Sequence, residues 1–370
     1  MTAAETLTWR QALAWRMRRH GLVERGAPDT LLDVTARLCG LHAQVLSSAE
    51  LTAWARIDDL PPTAVRDALW DHGHLVKTWA MRGTLHLLPG GELPLWHAAL
   101  SSYEHFLKPA WVRAFGFTSP EEVEDLIAAV AGALDGKTLT REELAAALPE
   151  HAEKLRESWG SALKPAAFRG LLAFAPSEGQ TVRFTRPPQG ERPSREEALR
   201  TITRRYLAAY GPARREDLSR WWGTHALSAA KAQRRIEELG DEVVPVDVDG
   251  ERCWALAEDR DGLRDAEPPR AARLLPLFDQ YVVSSNRGVE ALLPQAEKAR
   301  VFRQAGWISP VVLVDGAIAG VWRHERKGAR LDVEVEPFGR LPRWAVAQVE
   351  AEAERLAAHL GGALTLRGTS

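Results

Sequence analysis

The stretch EEALRTITRRYLAAY-GP-ARREDLSRWW-G-THALSAAKAQRRIEELG-DEVVPVDVDG, residues 196–250, decides the fold. Residues 196–210 read as a helix, Gly211-Pro212 as a turn and 214–222 as a short second helix. Gly223 breaks the chain, 224–239 read as a third helix, and two strands meet at Asp249-Gly250, a dipeptide suited to a tight hairpin. Helix, helix-turn-helix and hairpin in that order make a winged helix-turn-helix. A chain that repeats such a unit is expected to handle nucleic acid.

Two further copies flank this one. In the first, residues 9–20 form an amphipathic helix with Trp9, Leu13 and Met17 four apart, and 31–39 form another. Ser47 and Glu50 read as a capping box opening a helix to about 57, residues 62–70 as the next helix, and 75–81 with 84–88 as a wing around Arg82-Gly83. Residues 90–118 read as a helical linker. The second copy starts at Pro120, has a capping box at Thr140 and Glu143, a helix over 165–174 and a wing strand over 181–185. Pro187, Pro188, Gly190 and Pro193 mark a linker, and 258–273 a charged one. Beyond it, strands 311–314 and 317–322 flank Asp315-Gly316, strand 331–335 follows, and 344–360 is a helix. The expected class is α+β, mainly α: three tandem winged helices over 1–118, 119–190 and 191–265, then a small α+β domain over 266–370.

Composition narrows the function. With 370 residues, 45% of them hydrophobic, the chain suits two to four globular domains. It has no apolar run long enough for a membrane span, and Met1-Thr2-Ala3-Ala4-Glu5 does not open like a secretory signal. Cys39 and Cys253 stand alone and read as buried apolar residues of a protein in a reducing cytoplasm. The net charge of −2 hides an asymmetry: residues 181–235 carry thirteen basic and five acidic side chains, and 9–25 five Arg against one Glu. Such clusters suit phosphate contacts, although a solvated face would look the same.

Phosphate-cradling loops, dinucleotide fingerprints and hydrolase elbows are absent. His72 and His74 flank Gly73 without a third ligand placed nearby, so no metal is expected, and no cofactor. Tyr103-Glu104-His105 reads as packing or surface. One segment resists so plain a reading: Gly40-Leu41-His42-Ala43-Gln44. Gly40 ends one helix and Ser47 starts the next, which leaves His42 and Gln44 in a short extended bridge. Residues two apart in extended chain point the same way. A neutral His and a Gln each offer a donor and an acceptor, so the pair could hold one water. Taken by themselves, two polar residues between helices are usually structural.

Three strings carry a resemblance: Arg82-Gly83-Thr84-Leu85-His86-Leu87, Leu274-Leu275-Pro276-Leu277-Phe278-Asp279, and 306–316 followed by Gly320-Val321-Trp322. Over nearly its full length the chain resembles the winged-helix bacterial DNA glycosylases of the AlkZ and YcaQ type. The family's catalytic motif, two polar residues around one apolar residue, falls on His42, Ala43 and Gln44 as a His-x-Gln variant. The resemblance implies a monofunctional glycosylase that releases bulky or cross-linked N7-alkylated purines from double-stranded DNA, often as self-protection in makers of DNA-damaging antibiotics. A cytoplasmic, nucleoid-associated monomer is expected. The expected DNA contacts are Lys231, Arg234 and Arg235, which share one face of the third-copy helix, with Arg323, Arg326 and Lys327 in the 317–331 region as a second set. A winged-helix regulator without catalysis, or a protein-binding scaffold, is the alternative. Release of a free base separates these readings.

Overall fold

The computed structural model describes residues 5–158, 160–179, 181–284 and 288–369. The chain is α+β, mainly helical, with small sheets. It folds into two compact units, each discontinuous in sequence: residues 1–65, 204–218 and 236–370 make one, 66–203 and 219–235 the other.

In the second unit the helix Pro120–Ala133 buries Val123, Leu126, Ile127 and Val130, one stripe at the 3.6-residue period. Ser119 caps it, its hydroxyl accepting from the Glu122 amide at 3.4 Å. Thr140 and Glu143 form the expected reciprocal capping box for Arg141–Ala147. The helix Lys164–Phe168 packs on Pro120–Ala133, and the hairpin Ala173–Glu178 with Thr181–Thr185 closes the motif, Thr138–Thr140 pairing with its second strand. This helix is shorter than the expected 165–174. Gly170 has φ +74°, and a Cβ there would stand 2.4 Å from the His97 ring. The chain thus turns flush against His97 where only glycine fits, and residues 173–174 are already strand.

The third winged-helix succession runs Arg195–Tyr210, Arg215–Trp222 and Ala229–Glu237, then the hairpin Val243–Val248 with Glu251–Leu256. Asp249 (φ +49°) and Gly250 (φ +84°) form its left-handed turn. The helix expected over 224–239 begins only at Ala229, because the Ser219 hydroxyl donates to the Leu227 carbonyl at 2.6 Å and holds 223–228 as a turn.

In the first unit, Glu5–Leu7 adds to that hairpin as a parallel strand, a pairing not visible in the sequence. The helix Trp9–Arg19 follows, opened by a Thr8/Gln11 capping box, and the Asp249 carboxylate accepts the Trp9 amide at 2.8 Å. Most of the arginines near this helix clip the fold together. Arg16 is buried and donates to the Tyr210 carbonyl at 2.9 Å, Arg19 to the Ala208 carbonyl at 2.8 Å, and Arg25 pairs with Glu352. The C-terminal part is a five-stranded sheet in the order 272–275, 311–314, 317–327, 330–337, 363–367. The helix Arg343–Leu360 covers it through Ala345, Val349, Ala353 and Leu356.

Candidate functional site

The helix Leu31–Arg37 ends in a Schellman motif. The Gly40 amide donates to the Thr35 carbonyl at 2.8 Å and the Cys39 amide to the Ala36 carbonyl at 3.0 Å. The left-handed position is Cys39 (φ +58°), not Gly40, which follows at φ +96°. A left-handed non-glycine residue costs roughly 1–2 kcal/mol, here accepted in the wall of the core, where the thiol is fully buried. The chain leaves this turn as the two-residue strand Leu41–His42 and re-enters a helix at Leu46–Trp54. The expected Ser47/Glu50 capping box does not form. The cap residue is Val45, which has no side-chain acceptor, and Ser47 lies within the first turn.

His42 and Gln44 therefore do lie outside helices, in unlike surroundings. His42 is buried, its ring 4.9 Å from that of Phe278 and tilted by 32°. Gln44 is exposed at the bend before Leu46–Trp54, and Ala43 between them is fully buried. Phe278 (φ +56°) in turn packs 5.3 Å from Trp307, a ring that is 48% exposed. An exposed indole beside a buried His-Phe stack offers a surface on which a base could lie.

The support behind His42 comes from residues 278–281. Arg56 and Asp279 form a two-pronged ion pair, 2.7 Å on each prong, with both side chains fully buried. Arg56 also donates to the Thr52 carbonyl at 2.8 Å, and Asp279 accepts the Tyr281 amide at 2.9 Å as the cap of Gln280–Val283. The next residue, Gln280, donates its side-chain amide to the Gly40 carbonyl, and the Tyr210 hydroxyl donates to the Leu38 carbonyl at 2.7 Å. Phe278 against the His42 ring and Gln280 on the Gly40 carbonyl thus brace the strand that carries His42. Deeper still, His20 lies edge-on to Tyr210 and Tyr281, and burial holds its pKa well below the usual imidazole value, with the charges of Arg56, Arg16 and Arg37 adding to the shift.

A cavity of about 360 Å³ opens beside Val45 and Ser48 and is closed by Leu277, Trp322, His324 and His359. Its walls begin one residue after Gln44 and one before Phe278. Phe278, Asp279, Gln280 and Trp307 escaped the reading of the residues. Two of the strings that carried the resemblance contain Phe278, Asp279 and Trp307, but only the fold shows that Phe278 meets His42 and Trp307 meets Phe278.

The expected DNA contacts divide. Lys231 and Arg234 are exposed on Ala229–Glu237 and take part in no ion pair among the described residues. Arg235 is half-buried and lies 5.9 Å from the Trp222 ring centroid. On the strand Ala317–Lys327, Arg323 pairs with Glu334 at 2.6 Å, Lys327 with Glu325 at 2.9 Å, and Arg326 donates to the Leu360 carbonyl at 3.0 Å. Much of the basic charge of 181–235 is likewise matched: Arg186 by Asp135, Arg195 by Glu104, Arg204 by Glu242 and Glu258, Arg214 by Asp217 and Glu251. His72 and His74 stand 5.5 Å apart, and among the described residues no group of three or more His, Cys, Asp or Glu could hold a metal. No helix among them is long and apolar enough to cross a membrane.

Winged-helix successions in tandem, joined to a braced polar bridge between two helices, define a DNA-handling protein of the tandem winged-helix class. The comparisons narrow that class. The family described as DNA glycosylase AlkZ-like matches residues 35–359, and the chain belongs to it as a DNA glycosylase. It is 40% identical over 362 residues, 95% of this chain and 96% of the other, to an interstrand DNA cross-link repair glycosylase of Streptomyces sahachiroi. The solved structure of Streptomyces sahachiroi DNA glycosylase AlkZ superposes with a TM-score of 0.88 at 39% identity, covering 98% of this chain and 99% of that one.

Proposed function

We propose that this glycosylase hydrolyses the N-glycosidic bond of bulky or cross-linked N7-alkylated purines in double-stranded DNA, with His42 and Gln44 as the catalytic pair, and that it does so as a monomer acting on the chromosome. The observation that carries the reading is the tie from Gln280 to the Gly40 carbonyl at the start of the 40–44 bridge, with Gln280 held in a turn capped by Asp279 of the buried Arg56–Asp279 pair. Such a tie fixes the backbone from which His42 and Gln44 project, as a positioned catalytic pair requires. The relative described as a cross-link repair glycosylase supports the cross-linked substrate.

The chemistry asks little of the protein at the base. Alkylation at N7 leaves the purine cationic, so the electron pair of the breaking C1′–N9 bond neutralises it and no proton need be delivered. The sugar develops oxocarbenium character, and a water must add to C1′ from the opposite face. The Gln44 carbonyl accepts a hydrogen bond from that water and turns a dipole toward the forming charge. His42 takes the proton that the water loses on forming the C1′–O bond. Trp307, exposed beside the stack, is suited to lie against the departing base. A role in self-protection against a DNA-alkylating natural product follows from the same substrate.

The test is single-turnover release of an N7-alkylguanine adduct by the parent, His42→Ala and Gln44→Ala, with DNA binding measured in parallel. Each substitution is expected to slow release by about 10²-fold, the low end of the usual loss of a positioned proton acceptor because the cationic base leaves readily. Binding should be retained. Release at the parent rate by both variants removes the pair from the mechanism.

A further inference from the structure

The second unit holds a cavity of about 290 Å³ that the glycosylase reading does not use. Its apolar walls are rings. Phe106 and Phe168 lie nearly parallel at 6.4 Å, Trp111 packs 4.4 Å from Phe115, and Tyr103 meets Phe168 edge-on at 4.7 Å. The Tyr103 hydroxyl is already engaged: it donates to the Trp222 carbonyl and accepts the Arg82 amide at 3.1 Å. The Arg82 guanidinium is likewise engaged, donating to the Trp221 carbonyl at 2.7 Å.

Apart from Ser161, the remaining polar side chains are basic. Lys164, His105 and His225 line the cavity, and among the described residues no carboxylate does. The two imidazoles stand 6.1 Å apart. The Lys164 ammonium reaches toward Gly83, within 3.7 Å of where a Cβ on that residue would stand, and makes no ion pair or hydrogen bond among the described residues. Nδ1 of His105 is buried and likewise without a hydrogen-bond partner there. Burial pulls the pKa of Lys164 below its ordinary value, and that of His105 is lowered by burial first and by the neighbouring His225, Lys108 and Lys164 charges after it.

The walls select a ligand by elimination. A cation would be repelled by Lys164. A purely apolar molecule would leave that ammonium unpaired in a half-dry site, which is unfavourable. A bare inorganic anion would leave the rings unfilled. The volume lies at the small end for a ligand pocket, about 300 Å³ upward, so it suits one ring system and not a chain. We infer that this cavity binds a planar aromatic ring carrying an anionic group, the ring against the aromatic wall of Phe106, Trp111 and Phe168 and the anion on Lys164 and His105. That chemistry has two sources, a single nucleotide of the DNA strand or a free aromatic acid.

Isothermal titration of the full chain with deoxyguanosine monophosphate, with 2-naphthoate and with inorganic phosphate tests this. At least one of the two ring-bearing anions should bind saturably at one per chain, and inorganic phosphate about tenfold more weakly or not at all. Lys164→Met should weaken the bound probe by at least about tenfold, the loss of one charge-assisted contact, and Lys164→Arg should restore most of it. Selective binding of the nucleotide assigns the cavity to DNA, selective binding of the naphthoate to a free acid, and binding of both supports the shared chemistry. Saturable binding of neither probe, or affinities that Lys164→Met leaves unchanged, overturns the inference.

Discussion

Replacing Asp279 by Asn isolates the charge that braces the candidate site. The substitution keeps the volume and one carbonyl oxygen, so packing around Phe278 and Gln280 is preserved. What changes is that Arg56, fully buried, loses a counter-charge held at 2.7 Å on both prongs. The Arg56 donation to the Thr52 carbonyl cannot make up for this, because a dipole does not neutralise an ion. Breaking a buried pair by removing one partner costs about 3–5 kcal/mol, and the Tyr281 amide bonded to Asp279 Oδ1 at 2.9 Å weakens as well. A loss of at least about 3 kcal/mol is therefore expected. Urea unfolding, followed by tryptophan fluorescence and far-ultraviolet circular dichroism together, reads it as a lowered midpoint. The double variant Arg56→Met/Asp279→Leu should recover much of the loss, since an apolar pair of similar size carries no stranded charge. Base release by the double variant should still be slowed, because the Gln280 donor to Gly40 is no longer held by its capped turn. A single variant within about 1 kcal/mol of the parent would refute the reasoning, as would a double variant no more stable than the single one.

Two further outcomes follow from the charges. His97 is buried, and burial first, then the Arg192 charge, brings its pKa down to about 4 from an ordinary 6.5. Its contribution is complete above pH 6.5 and is lost as the pH falls from there toward 4, because the unfolded chain takes the proton first; the full loss is about 3 kcal/mol. Urea midpoints at pH 7.5 and 4.5 should fall less for His97→Leu than for the parent, and an equal fall in both would place the acid sensitivity elsewhere. On the DNA side, Lys231 and Arg234, exposed and in no ion pair among the described residues, should each carry about one counterion, whereas Arg323 and Lys327, already matched by Glu334 and Glu325, should carry less. The salt dependence of DNA binding should thus flatten by about one unit for Lys231→Ala and for Arg234→Ala and change less for Arg323→Ala. The opposite order would put the DNA on the 317–331 hairpin.

The local grammar of this chain was legible in its residues. The apolar stripe of Trp9, Leu13 and Met17 marked the helix Trp9–Arg19, the pairs Asp249-Gly250 and Asp315-Gly316 marked hairpin turns, and Thr140 with Glu143 made the box they spell. These signals act over a few residues, so the chain itself carries them. The same locality explains the misses. Ser47 and Glu50 spell a box as well as Thr140 and Glu143 do, but the chain enters that helix from a left-handed turn at Cys39 and caps it at Val45, two residues early. The helix after Lys164 stops because Gly170 must pass the His97 ring, a contact between residues far apart in sequence.

The candidate site divides in the same way. That His42 and Gln44 lie between helices was readable from Gly40 and the helix that follows. Their unequal burial, the Phe278 stack, the exposed Trp307 and the Arg56–Asp279 anchor were not. Likewise, the basic stretch at 181–235 looked like a phosphate-binding region, yet Arg186, Arg195, Arg204 and Arg214 meet carboxylates brought in from elsewhere in the chain, while Lys231 and Arg234 are exposed and make no ion pair among the described residues. Composition counts charges, but only the tertiary structure pairs them. Pairing depends on distances of a few ångströms between residues up to hundreds of positions apart, and nothing in the order of the residues along the chain encodes those distances locally.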